Sequence, residues 1–157
     1  MMKTQYMLTG LLALFVTACG GVDRVVENQC PEIAVLATAD YLDSNAQNAR
    51  MRSAQLSCFV DSKTDELMAD IQLTGTASQA GMELAFFVAT LDKNDAVTNR
   101  LQYKVKASGT TFTLNLPRYV YATRASLLNK PRLVAGFVLS DAQLEANRAA
   151  YRKRLGM

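Results

Sequence analysis

The sequence predicts a mainly β fold: an antiparallel sandwich of about seven strands, connected as an immunoglobulin-like Greek key, with a C-terminal α-helix. A small barrel is the alternative. Three observations predict it. Short runs in which apolar and polar residues alternate recur along the chain after residue 33. Clusters of Asp, Asn, Ser, Gly and Lys separate them, as turns require. The last stretch, from Ser140 onward, changes to a helical pattern.

Taken in order, residues 33–36 form the first strand, just after Pro31, which lacks a backbone donor and suits a strand's first position or edge. Residues 37–52 are polar, rich in Ala and Asn, and without a clear period. They read as a loop, with a helical turn near 46–51. Ala54, Leu56, Cys58 and Val60 alternate with Gln55, Ser57 and Phe59. Leu67, Ala69, Ile71 and Leu73 alternate with Met68, Asp70, Gln72 and Thr74. With the turn at 61–65 between them, these runs make a hairpin with a longer loop. Residues 76–81 connect to 82–91, an apolar run in which the adjacent Phe86, Phe87 and Val88 cover both faces of a central strand. After a turn at 92–95, Leu101, Tyr103 and Val105 alternate with Arg100, Gln102, Lys104 and Lys106. Ser108-Gly109 turns the chain. Phe112, Leu114 and Leu116 then alternate until Pro117, where the strand is expected to stop. Tyr119 and Tyr121 suggest a short edge segment, and 133–139 a last strand. Ser140 or Asp141 caps a helix running to about Leu155, whose basic final turns suit the helix dipole.

The N-terminus carries the address. Lys3 precedes an apolar stretch, residues 7–16, far shorter than the ~20 residues of a membrane span. Val16-Thr17-Ala18-Cys19 resembles a bacterial lipobox, the site where a signal peptidase cuts before a diacylated cysteine. The resemblance implies a signal peptide over 1–18, acyl chains such as palmitate on Cys19, and a lipidated tether over 19–29 leading to a domain over 30–157. Three acyl chains anchor firmly where one holds marginally. Gly20 follows the cysteine in place of the aspartate that favours inner-membrane retention, which points to the outer membrane.

Charge and cysteine bound the rest. The formal net charge is +3, and cleavage after Ala18 removes Lys3 and no acid. Arg148, Arg152, Lys153 and Arg154 crowd the end, leaving the body slightly acidic. That is not a nucleic-acid-binding profile. With Cys19 lipidated, Cys30 and Cys58 form an even pair in an exported protein, for which a disulfide is the default. A zinc pair has no further Cys and no His to complete it.

The search for chemistry is short. Without His there is no Ser-His-Asp or Cys-His machinery. Asp61, Asp65, Glu66 and Asp70, and likewise Asp92, Asn94 and Asp95, read as solvated turn charges and not a calcium site, lacking EF-hand spacing. Arg100, Lys104 and Lys106 read as a solvated sheet face, and Phe86-Phe87 as core. No cofactor is implied.

The lipobox, Cys30-Pro31, Ser57-Cys58, Phe86-Phe87-Val88-Ala89 and residues 143–148 together resemble a group of small uncharacterised proteobacterial lipoproteins. The resemblance implies outer-membrane attachment and no assigned reaction. The expected role is a non-enzymatic protein-interaction or envelope-assembly module on the periplasmic face, with an envelope protein as partner. The alternative is a carrier of small apolar ligands, with a cleft between the sheets or under the helix. On the helix, Leu144 and Tyr151 share a side with Leu155, Asn147 and Arg148. That side is expected to dock, with Arg148 meeting a carboxylate or strand carbonyls of the sandwich. The alternative is a loose basic tail touching lipid or cell wall.

Overall fold

The computed structural model describes residues 22–24, 30–61 and 63–157, and of residues 22–24 the backbone alone. Cys19 and the signal peptide lie outside the described residues. The alternating runs become strands: β1 (Val22–Arg24), β2 (Ile33–Val35), β3 (Tyr41–Ser44), β4 (Gln47–Asp61), β5 (Glu66–Ala77), β6 (Glu83–Leu91), β7 (Val97–Lys106), β8 (Thr111–Thr123) and β9 (Arg132–Phe137). Helix α1 (Asp141–Arg154) follows, with the Ser140 hydroxyl accepting from the Gln143 N–H as its cap. The first sheet has the order β1-β4-β5-β8, with β3 also paired to β4; the second has β2-β9-β6-β7. The pairings are antiparallel except β2 with β9, where Ile33 faces Leu133 and the strands run the same way.

Strand parity decides what is buried. Leu67, Ala69, Ile71 and Leu73 of β5 point inward while Asp70 and Gln72 point out. Leu84, Phe86 and Val88 of β6, with Leu133, Ala135 and Phe137 of β9, meet them in one continuous hydrophobic core. Phe112 of β8 and Phe137 of β9 touch edge to face across the sheets, centroids 6.4 Å apart. The Cys30–Cys58 disulfide ties the approach to β2 in the second sheet to β4 in the first, Cα atoms 5.7 Å apart.

Two expectations are corrected. Residues 37–52 hold no helical turn: β3 and the start of β4 form a hairpin through Asn45 and Ala46, both at positive φ (50° and 65°). Two successive positive φ values match the hairpin turns whose twist suits paired strands. Second, β8 does not stop at Pro117. It lies at the edge of its sheet, where a missing donor costs no ladder bond. The register with β5 shifts between Ala69 and Ile71, Arg118 takes φ 55°, and its N–H donates to Asp70 Oδ1 at 2.9 Å. This bulge returns Tyr119 and Tyr121 to the core, so they are inner residues and not a separate edge segment.

The Tyr119 hydroxyl shares a buried 3.1 Å hydrogen bond with Thr90 of the opposite sheet, whereas the buried Tyr121 hydroxyl has no partner among the described residues. Burial pushes the Tyr121 phenol up to about 12 from 10.0. Burial also raises Tyr119, with the Thr90 bond opposing, and raises Tyr103. The unfolded phenols ionise first as pH rises. The stability Tyr121 contributes is therefore full below pH 10.0 and is lost as pH climbs to about 12. At about 1.4 kcal/mol per unit this amounts to roughly 2–3 kcal/mol. Urea melts at neutral pH and at about pH 11 should show about half of this loss in the wild type and a smaller one in Tyr121→Phe.

Candidate functional site

The alternation that sends Phe86 and Val88 into the core sends Phe87, Ala89 and Leu91 to the outer face of the second sheet. The β6–β9 register places Gly136 beside Phe87 and Val134 beside Ala89 on that face. The outer face is therefore apolar. It is partly roofed: residues 36–40 and α1 lie across it. Gly136 permits that close approach, since a Cβ there would sit 2.7 Å from Ala39 Cβ and 3.2 Å from Phe87.

The helix is fixed by side-chain donors. Asn147 Nδ2 donates to the carbonyls of Thr38 (3.1 Å) and Tyr41 (2.8 Å), and Gln143 Nε2 donates to the carbonyl of Asp43. Leu144 and Tyr151 are half-buried, as the expected docking face requires, while Leu155 stays exposed. The expectation for Arg148 holds for the carboxylate partner and is corrected for its place, which is on the helix and not on the sandwich. Its guanidinium bonds Glu145 on its own helix at 2.6 Å and remains about half exposed. Glu145, one turn back, offers the nearest carboxylate, so the charge need not reach the sheets. Asn147, which the sequence offers with Arg148 as a candidate interaction residue, makes the contacts to the carbonyls of Thr38 and Tyr41. Asn147→Ala should lower stability by about 1–3 kcal/mol by leaving two carbonyls without their donor. Arg148→Ala should change it by under about 0.5 kcal/mol. Thermal melts of the two variants check the order.

Between α1 and the sheet lies an open groove of about 450 Å³. Its apolar lining includes Leu36, Phe87, Leu91, Val134, Leu139 and Leu144, with Arg100, Asp141 and Arg148 at the rim. Val97 stands at its mouth, 60% exposed. Arg100 lies over the Phe87 ring, 4.5 Å from Cζ to centroid, so its stem extends the apolar wall while its charge faces out. The groove can hold an apolar chain and meet an anionic group beside it.

The other residues singled out by sequence sit elsewhere. Lys104 and Lys106 are exposed on β7, Lys104 4.0 Å from Glu83. Asp61 accepts from the Lys63 N–H (2.8 Å), and Asp92 from the N–H groups of Asn94 and Ala96. Asp65 pairs with Arg124 at 2.9 Å and Asp95 with Arg132. These carboxylates close turns and tie loops. Among the described residues no three Asp, Glu, Cys or His side chains converge as a metal site. Phe87, by contrast, is groove and not core, and its signal was present: an uninterrupted apolar run leaves no face for water.

Comparison with known proteins returned no matching family model, curated protein or solved structure.

Proposed function

We propose that this protein is a lipoprotein anchored through Cys19 to the periplasmic face of the outer membrane, acting without chemistry as a protein-interaction module in the envelope. We read its two-sheet domain as an immunoglobulin-like Greek key, because β5 and β8 are neighbours in one sheet while the β6–β7 hairpin between them lies in the other. The groove on the outer face of the second sheet carries the functional reading. The interior is filled by one core cluster, and the apolar surface left open lies outside it. A partner segment offering apolar side chains next to an acid fits Phe87, Leu91, Val97 and Arg100. The second reading, a carrier of a small apolar ligand, has the groove's volume in its favour.

A photo-crosslinking residue at Val97 in intact cells separates the two. The module reading expects one discrete protein adduct, absent when the probe is placed at Gln55 on the other sheet and lost in Phe87→Asp. An apolar molecule co-purifying with the protein, and no adduct, would replace it with the carrier. Cys19→Ser should release the folded domain from membranes into the soluble periplasmic fraction; retention in the membrane fraction would refute lipid anchoring.

A further inference from the structure

The first described residues lie at one end of the domain. β1 runs antiparallel to β4, with Arg24 opposite Phe59 and Val22 opposite Asp61, the last residue of β4. Val22 therefore lies at the end of β4 that carries the β4–β5 hairpin. Cys19 is three residues further, a reach of at most about 11 Å. The opposite end of the domain, where β5 finishes at Ala77, is a further ~35 Å away along that twelve-residue strand.

The hairpin tip is joined to a 3-10 helix (Arg124–Asn129). The Arg124 N–H donates to the Asp65 carbonyl at 3.1 Å, and its guanidinium pairs with the Asp65 carboxylate. Leu127 packs against the core, which leaves its neighbour Leu128 pointing away, 88% exposed. Leu128 is the most exposed large apolar side chain among the described residues. It borders a depression shared with Cys30, Pro31, Lys130 and Pro131, where the described chain resumes after the tether. Lys63, Lys93 and Lys130 are exposed on the turns of this end. The charges of Asp65 and Asp95 are taken up by Arg124 and Arg132. An exposed apolar side chain at the tip, with Lys130 beside it, is the pattern of a group seated in a lipid interface.

We propose that this end of the domain is a bilayer-contacting face, with Leu128 inserted at the headgroup level and Lys130 beside it. It rests on the reading of Cys19 as the lipid anchor. The contact sets the domain upright, with the groove under α1 on its flank and open to the periplasm.

The chain contains no Trp, so a single introduced indole reports its own site. Lipidated Leu128→Trp and Gln79→Trp would be purified from membranes and reconstituted into vesicles of phosphatidylethanolamine with a minor share of phosphatidylglycerol. Lipids brominated on the acyl chain then act as quenchers. Position 79 is exposed in the connection after β5, at the far end. The expected result is a blue-shifted emission and severalfold stronger quenching for Leu128→Trp than for Gln79→Trp. Protein that floats with the vesicles yet shows equal, weak quenching at both positions overturns the orientation and leaves the anchor intact. Quenching equal and strong at both positions overturns it as well, since the domain would then lie flat. Protein that fails to float refutes the anchor, and the bilayer face with it.

Discussion

Phe137→Ala should destabilise the domain by about 3–5 kcal/mol, a large part of the 5–15 kcal/mol that holds a typical domain together. Phe137 is 1% exposed and sits where the two sheets meet. Its ring touches Phe112 edge to face across the interface, so the substitution removes transfer energy and an oriented aromatic contact together. The hole is poorly placed to collapse. The Phe137 N–H donates to the Ala39 carbonyl at 2.8 Å, and the residue is in register with Phe86, which fixes its backbone from both sides. Urea denaturation of the purified variant measures the loss, with an unchanged denaturant slope confirming that the native state is otherwise intact. A loss below about 1 kcal/mol would mean that the contact between the sheets is carried elsewhere.

Replacing both Cys30 and Cys58 with Ala should cost about 3–4 kcal/mol. The two are 28 residues apart in sequence, and in the chain-entropy account a closed loop of that length restricts the unfolded ensemble by this amount. The bridge joins opposite sheets. Its loss frees the approach to β2, a strand of only three residues whose sheet partner is β9. The parallel β2–β9 pair should therefore be the first element to open. Amide exchange comparing residues 33–35 with the β4–β5 ladder checks this directly. Equal exchange enhancement in both would show that the bridge acts only through the unfolded chain.

Much of the fold was legible because parity is a local property. Leu67 to Leu73 and Leu84 to Val88 alternate or run apolar, and each pattern became the strand it described. The hairpin at Asn45-Ala46 was not legible. The turn uses Ala at positive φ where Gly would have announced it, and the strand after it opens with Gln and Asn. Pro117 misled for a related reason. A proline ends a central strand but not an edge strand, and which strand lies at the edge is decided by the whole sheet. Asp70, read from sequence as a turn charge, holds the Arg118 N–H that the resulting bulge leaves unpaired.

The groove shows the same division. Phe87 and Leu91 were visible only as members of an apolar run, Phe87 being read as core, and Leu144 as the bulky side of a helix. Only the tertiary structure placed those two faces opposite each other, and it did so through Asn147 and Gln143 bonding to carbonyls of residues 38–43, about a hundred positions away. What the sequence by itself determined were most of the strand runs and turns after residue 53, the helix with its cap at Ser140 or Asp141, and the pairing of Cys30 with Cys58. All of these follow from neighbours a few residues apart or from a count of thiols. The parallel placement of β2, the bulge that keeps Tyr119 and Tyr121 inside, and the groove under α1 were decided by tertiary structure alone. Each depends on which surfaces meet, and burial rewards a contact by its area, whatever the distance in sequence between its two sides.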